Sequence, residues 1–121
     1  MTEKEFWEFM EEARSNGRVN MVSGRIDSQD PQTQVAGEYM GNHSLLPANY
    51  DRIPEDKLID MGNLLFDKEA SLKAKEIILV ILAHQSLKSA LRILQQYNKN
   101  PDNELKFFAE FALDECRMWQ D

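Results

Sequence analysis

Residues 72–119, LKAKEIILVILAHQSLKSALRILQQYNKNPDNELKFFAEFALDECRMW, decide the fold of this chain. Apolar residues recur at spacings of three and four through the stretch, which places them along one face of a helix. Short polar connections divide the pattern. The stretch therefore predicts three consecutive helices, over about 68–84, 86–97 and 100–119, capped by Asp67, Ser86 and Asn100.

The first of these helices is apolar nearly all round between Ile77 and Ala83. A helix without a polar face has to be covered on every side, so we expect it at the centre of a bundle. His84 follows at its C-terminal end, where a cationic or hydrogen-bonding side chain complements the helix dipole. We therefore predict a capping role for His84 rather than a catalytic one.

The last helix carries two apolar lines. The first fits a seam packed on the preceding helices and consists of Leu105, Phe108, Ala109, Ala112, Leu113, Cys116 and Trp119. The second line is Phe107, Phe111 and Met118, interrupted by Asp114. A second apolar line on one helix has to meet the first helix, the long loop or another molecule.

The chain also contains a partial internal sequence repeat at a spacing of 33 residues. Leu72-Lys73 recurs as Leu105-Lys106, and the period is typical of stacked helical hairpins. Residues 75–119 resemble the HEAT-like repeats of bilin lyases and related scaffold proteins. The resemblance is carried by Ala83-His84, Ala90-Leu91-Arg92-Ile93-Leu94, Asn100-Pro101-Asp102, Ala109 and Ala112-Leu113. These are packing residues, so the resemblance implies an α-solenoid fold and no particular activity.

The N-terminal segment predicts a further helix from Glu3 to Ser15, opened by a capping box between Thr2 and Glu5. Its apolar residues form one stripe, and acidic residues that include Glu8 and Glu12 form the other. The opening EFWEFM (5–10) resembles the start of small acidic bacterial immunity proteins, which neutralise toxins. That resemblance implies a toxin as the protein partner, and the acidic charge of the chain favours a basic one.

Between these helical regions, residues 17–52 lack a helical pattern and predict an irregular segment, with short extended pieces possible at 19–22 and 37–40. A helix is expected again from Pro54 to Phe66. The expected fold is all-α, a single domain of about five helices, with a helix over 1–16, the irregular segment and a HEAT-like helical stack over 53–121.

Composition narrows the function classes. The net charge of −7 argues against nucleic acid as the partner, although residues 68–100 carry a local excess of positive charge. The longest apolar run is far too short to span a membrane, and the N-terminus has no secretory signal, which favours the cytoplasm. A single cysteine, Cys116, is expected to be a buried apolar residue. The sequence contains no recognisable catalytic, cofactor-binding or metal-binding motif.

The leading interpretation is a non-catalytic protein-interaction module for a basic partner such as a toxin, or one that self-associates through its last helix. The candidate partner-binding residues are Phe107, Phe111, Met118, Glu110, Asp114, Glu8 and Glu12. The alternative is a small lyase-type enzyme or cofactor chaperone, in which the segment around Tyr39 and His43 closes over a ligand held on the helical stack.

Overall fold

The computed structural model describes residues 1–15, 46–47 and 49–120. Five α-helices lie in these ranges: α1 (Glu3–Ser15), α2 (Glu55–Asn63), α3 (Leu72–Ala83), α4 (Lys88–Lys99) and α5 (Lys106–Trp119). Three 3₁₀ turns accompany them: η1 (Tyr50–Arg52), η2 (Leu64–Phe66) and η3 (Asn103–Leu105). The all-α class is confirmed, since no β-strand lies in the described ranges. The extended pieces expected at 19–22 and 37–40 fall outside them.

Helix α3 is the centre of the structure. Nine of its twelve residues are buried, and α1, α2, α4 and α5 all pack against it. This arrangement follows from its apolar surface, because a helix that is hydrophobic on all sides gains stability only when covered on all sides. The central position predicted from the run Ile77–Ala83 is confirmed.

The remaining helices complete the bundle around this centre. Helix α5 packs against both α3 and α4, and α4 also packs against α2. At the contact of α2 with α4, a Cβ on Gly62 would lie 2.9 Å from Cδ1 of Ile93. The absence of a side chain at Gly62 therefore lets these two helices approach closely.

The start of α3 differs from the sequence expectation. The helix begins at Leu72 rather than Lys68, because the Ser71 hydroxyl accepts the N–H of Ala74 at 3.2 Å and acts as the N-cap. Asp67 instead accepts the N–H of Glu69 at 2.9 Å, inside the turn that leads to the helix. A side chain that is used within the turn is not available to cap a helix that starts five residues later, at Leu72.

The starts of α4 and α5 also differ from expectation. Leu87, not Ser86, precedes α4, and no side chain caps that helix. Asn100 ends α4 instead of opening the next helix, and α5 begins at Lys106 after the 3₁₀ turn η3. The delay has a physical cause, because the side chain of Asp102 points back into the bundle to Lys75 and Tyr97 and holds its own backbone extended.

Helix α1 is attached through Glu3. Its carboxylate accepts three hydrogen bonds, from the Trp7 indole at 2.9 Å and from the Ser71 N–H and hydroxyl at 2.8 Å each. These bonds lower the pKa of Glu3, with the Trp7 indole the largest cause. The capping box is confirmed: the Glu5 N–H donates to the Thr2 hydroxyl at 3.1 Å, and the Thr2 N–H donates to Glu5 at 2.9 Å.

A buried ionic cluster joins α3 to the turn before α5. The Lys75 ammonium is 2% exposed and donates to Oδ2 of Asp102 at 2.8 Å, while the Tyr97 hydroxyl donates to the same oxygen at 2.6 Å. Burial raises the pKa of the Asp102 carboxyl, but the hydrogen bonds from Lys75 and Tyr97 outweigh it and leave the pKa lowered. Burial, together with the Asp102 carboxylate, raises the pKa of Tyr97. Asp102 is therefore ionised at neutral pH.

The different exposure of Lys75 and Asp102 predicts that replacing one of them destabilises the protein more than replacing the other. The Asp102 side chain is 31% exposed, whereas Lys75 has almost no contact with solvent. Asp102→Asn leaves a buried ammonium without a counter-charge, and we expect a loss of about 3 kcal/mol of unfolding free energy. Lys75→Met fills a similar volume and removes the buried charge. The Asp102 carboxylate remains hydrated and still accepts the hydrogen bond from Tyr97, so we expect a loss of about 1 kcal/mol of unfolding free energy. Urea unfolding at pH 7 measures both.

A larger loss for Lys75→Met than for Asp102→Asn would contradict the assignment of Lys75 as the buried charge. Tyr97→Phe is the control, because it removes the two hydrogen bonds between the Tyr97 hydroxyl and Asp102 but no charge.

The Glu3 attachment predicts a loss of α1 contacts on acidification. Because its pKa is lowered in the folded protein, the contribution of Glu3 to stability is fully present above the ordinary carboxyl range and is lost as pH falls through the folded value. In a Trp119→Phe background, Trp7 is the remaining tryptophan. We expect its fluorescence to change as the pH falls, and Glu3→Gln to produce the altered emission already at pH 7.

Glu11→Gln, an exposed position on the same helix, serves as the control and should leave the Trp7 titration unchanged. A titration that survives Glu3→Gln would show that another carboxyl group controls it.

Candidate functional site

The second apolar line of the last helix lies on the surface. We call Phe107, Phe111 and Met118 the outer face of α5. Phe107 is 38% exposed, Met118 is 77% exposed and Phe111 is partly buried against the core. Asp114 lies within this face, 3.6 Å from the Arg117 guanidinium, and both side chains are exposed. The face thus combines apolar contact area with a charged pair that solvent reaches.

The first apolar line of α5 forms the seam as predicted, except at its end. Its fully buried members are Leu105, Phe108, Ala109, Ala112 and Cys116. Trp119 is 51% exposed, so its predicted place in the seam is wrong. As the last helical residue it lies beyond the bundle interior, and its ring is tilted by 33° against that of His84, with the centroids 6.5 Å apart. Burial raises the pKa of the Cys116 thiol, which contacts the Gln85 carbonyl oxygen at 3.5 Å.

The acidic residues of α1 border a cleft between α1 and α2, which we call the acidic cleft. Its volume is about 480 Å³. Glu8 and Glu12, both predicted partner-binding residues, lie on its α1 side. The full lining is Met1, Glu5, Glu8, Phe9, Glu12, Asn49, Lys57 and Asp60. The sequence did not predict that α2 contributes to this cleft, because nothing in the sequence of α2 indicates which helix its charged residues will face.

The electrostatics of the acidic cleft favour a cation. Four carboxylates line it, from Glu5, Glu8, Glu12 and Asp60, against two cationic groups, the Lys57 ammonium and the α-amino group of Met1. The backbone and side chain of Thr2 hydrogen-bond to Glu5 and lower its pKa, so this carboxylate stays ionised. Carboxylates that share one space repel one another, and a positive group placed among them is attracted by all of them.

The structure does not bring the seven predicted partner-binding residues into one site. Glu8 and Glu12 line the acidic cleft, whereas Phe107, Phe111, Met118, Glu110 and Asp114 all belong to α5. Glu110 instead borders a second, mixed-charge cleft of about 320 Å³ at the turn between α4 and α5. Its lining consists of Asn98, Lys99, Asn100, Pro101, Asn103, Lys106 and Glu110. The candidate residues are therefore divided among the acidic cleft, the outer face of α5 and this second cleft.

His84 has the helix-terminal position expected from the sequence. It is the C-cap residue of α3, and its Nδ1 lies 2.8 Å from the carbonyl oxygen of Val80. Its Nε2 lies 3.1 Å from Oε2 of Glu115, a contact that sequence reasoning missed. Only the packing of α5 beside α3 brings these two residues together, and no sequence spacing signals it.

No metal centre or membrane span emerges from the part of the chain that the structure describes. Within residues 1–15, 46–47 and 49–120, no three His, Cys, Asp or Glu side chains converge to hold a metal ion. None of the helices in these ranges is long and apolar enough to cross a membrane. Tyr39 and His43, which the ligand-binding alternative requires, lie outside the described residues.

Comparison with known proteins adds no family. No protein-family model, curated protein or solved structure matches this chain. The resemblances to HEAT-like repeats and to immunity proteins therefore stay predictions.

Proposed function

We propose that this protein is a non-catalytic interaction module that binds a basic protein partner, with the acidic cleft as the principal contact. The main supporting observation is the lining of that cleft, which combines four carboxylates with the apolar side chains of Met1 and Phe9. Apolar area supplies the free energy of burial, and the surrounding charge selects a cationic partner and speeds its association.

The overall charge supports the same partner class. The chain carries −7, and α1 contributes Glu3, Glu5, Glu8, Glu11 and Glu12 against Lys4 and Arg14. A field of one sign over a helix face attracts a basic surface before contact is made. Within this class, neutralisation of a basic toxin or scaffolding of a basic partner in the cytoplasm is the role we favour.

The outer face of α5 supports a second contact in the same complex or between two copies of the chain. Phe107 and Met118 expose apolar area that a partner helix can cover. Asp114 does not forbid such burial, because Arg117 already lies beside it as a counter-charge. The lyase-type alternative would instead place a small ligand against the helical stack.

The first test is directed at the acidic cleft. The tagged protein is purified from its own host under native conditions, bound proteins are identified by mass, and the affinity of the purified partner is measured by calorimetry. We expect a basic partner in stoichiometric amount, and Glu8→Gln/Glu12→Gln should weaken it by about tenfold, with a smaller salt dependence.

The matched control is Glu11→Gln/Glu104→Gln, which removes the same charge from exposed positions outside the cleft lining. Equal losses for the two double variants would show that only net charge matters. A bound small molecule, with no protein, would overturn the proposal in favour of the lyase-type alternative.

The second test separates the outer face of α5 from the acidic cleft. Phe107→Ser/Met118→Ser removes exposed apolar area and should leave the fold intact, because neither side chain belongs to the buried core. If this face contacts the partner or a second copy, we expect the variant to lower the affinity or the dimer fraction, measured by calorimetry and analytical ultracentrifugation.

Ile59→Ser/Leu72→Ser is the control, since these two side chains are exposed apolar groups on other helices. No difference between the two double variants would assign the interaction to the acidic cleft alone.

A further inference from the structure

The outer face of α5 has the residue spacing of a seam between paired helices. Phe107, Phe111, Asp114 and Met118 follow one another at intervals of four, three and four residues. Alternating intervals of four and three keep side chains in one line along a helix, as in a coiled coil. The line runs along most of α5, which has 14 residues and is therefore about 21 Å long. Phe107 and Met118, near its two ends, are exposed in the single chain.

Two opposite charges flank this line on the same side. Glu110 directly precedes Phe111, Arg117 directly precedes Met118, and the side chains of Glu110 and Arg117 are exposed. Glu110 and Arg117 are seven residues, or about two helical turns, apart, which is too far for them to pair within α5. In paired helices, the charges beside the seam select the orientation of the partner. Opposite charges on one side of a seam meet across the interface when the second helix runs antiparallel.

The charges distinguish the two ways in which a second α5 can lie on this face. In a parallel pair, Asp114 of one copy lies beside Asp114 of the other, and Glu110 lies near Glu115, so like charges face each other. In an antiparallel pair, Glu110 of each copy lies opposite Arg117 of the other. Asp114 then lies beside Phe111 and keeps its own Arg117 at 3.6 Å as a counter-charge. Because like charges opposed across an interface are unfavourable, the antiparallel pair is favoured.

We propose that two copies of the chain form a dimer through the outer faces of α5, antiparallel about a two-fold axis between residues 112 and 113. Phe107 of each copy contacts Met118 of the other, and Glu110 of each copy pairs with Arg117 of the other. An interface between identical surfaces has to be complementary to itself, and the spacing and charges of this face meet that requirement. The inference rests on the second contact of the proposed function and assigns that contact to a second copy.

The geometry of Arg117 is compatible with both of its roles in this dimer. Its guanidinium carries five N–H donors, so it can bind Asp114 of its own chain and Glu110 of the second copy together. Both side chains of the existing pair are exposed, and no buried contact has to break for the new one to form. The dimer therefore needs no rearrangement of α5.

The size of the face and the charge of the chain make the expected dimer weak. One pair of short helices buries less area than the interfaces of stable complexes. Each copy also carries −7, and the two copies repel each other at long range. At physiological ionic strength the Debye length is about 8 Å, so charges away from the interface are largely screened. We expect dissociation in the micromolar range of protein concentration.

The test reverses the two flanking charges in the full chain at physiological salt. Sedimentation equilibrium measures the dimer fraction over a range of protein concentrations. Glu110→Arg places positive charges opposite each other, and Arg117→Glu places negative charges opposite each other. We expect each single variant to weaken the dimer by about tenfold. The double variant Glu110→Arg/Arg117→Glu should restore it, because opposite charges face each other again.

A mixture of the two single variants tests the register more sharply. One chain then supplies only positive flanking charges and the other only negative ones, so we expect heterodimers as stable as the parent dimer. Native mass spectrometry identifies them, because the two chains differ in mass. Arg92→Glu and Glu69→Arg are the controls, since they make the same charge changes at exposed positions outside α5 and should leave the dimer unchanged. Circular dichroism checks that every variant keeps its helical content.

Three results would each overturn the proposal. They are a parent chain that stays monomeric at every concentration, a dimer that both single variants leave intact, and a loss of the dimer that neither the double variant nor the mixture restores. Binding of a basic partner is measured separately, by calorimetry. Partner binding without a dimer counts against this inference alone, whereas a dimer without partner binding counts against the acidic cleft alone.

Discussion

The burial of α3 on every side is the constraint on which the rest of the structure depends. A helix with Ile77 to Ala83 unbroken by a polar residue is stable in water only when other helices remove that surface from solvent. Four helices pack against α3, and the apolar stripe of each faces inward. The outward faces of the same helices then become the surface of the protein, so the acidic cleft and the outer face of α5 are consequences of how α3 is covered.

The complete covering of α3 also buries the charge of Lys75, which therefore needs a counter-charge within the bundle. Lys75 lies within the buried part of the helix and is neutralised by Asp102 from the turn before α5, with Tyr97 on the same oxygen. This cluster explains why α5 starts later than its sequence suggests, because Asp102 faces inward rather than joining a first helical turn. A buried ion pair contributes little net stability against apolar replacements. Its effect here is to specify one position for the turn between α4 and α5.

The ends of the helices show the same division between local and tertiary causes. At α1, the capping box of Thr2 and Glu5 is a local motif and was predictable. At α3, the N-cap is Ser71 rather than the predicted Asp67. The Ser71 hydroxyl and N–H also donate hydrogen bonds to Glu3, 68 residues away in the sequence. At the end of α5, Trp119 lies outside the predicted seam, with its ring tilted against that of His84. Each departure occurs where a contact distant in sequence competes with a local preference, and single-sequence patterns do not contain such contacts.

The sequence by itself determined the helical class, the approximate helices, the central place of α3 and the burial of Cys116, because apolar periodicity and turn residues act over a few neighbouring positions. It also separated Phe107 and Met118 from the line of apolar residues that packs on the preceding helices. Only the tertiary structure decided which helix faces which. That choice places Asp60 and Lys57 opposite Glu8 and Glu12, sets Glu115 beside His84 and pairs Lys75 with Asp102. The physical reason is that such pairs depend on the distances and angles between helices. These are set by the packing of all five helices together and not by the sequence of any one helix.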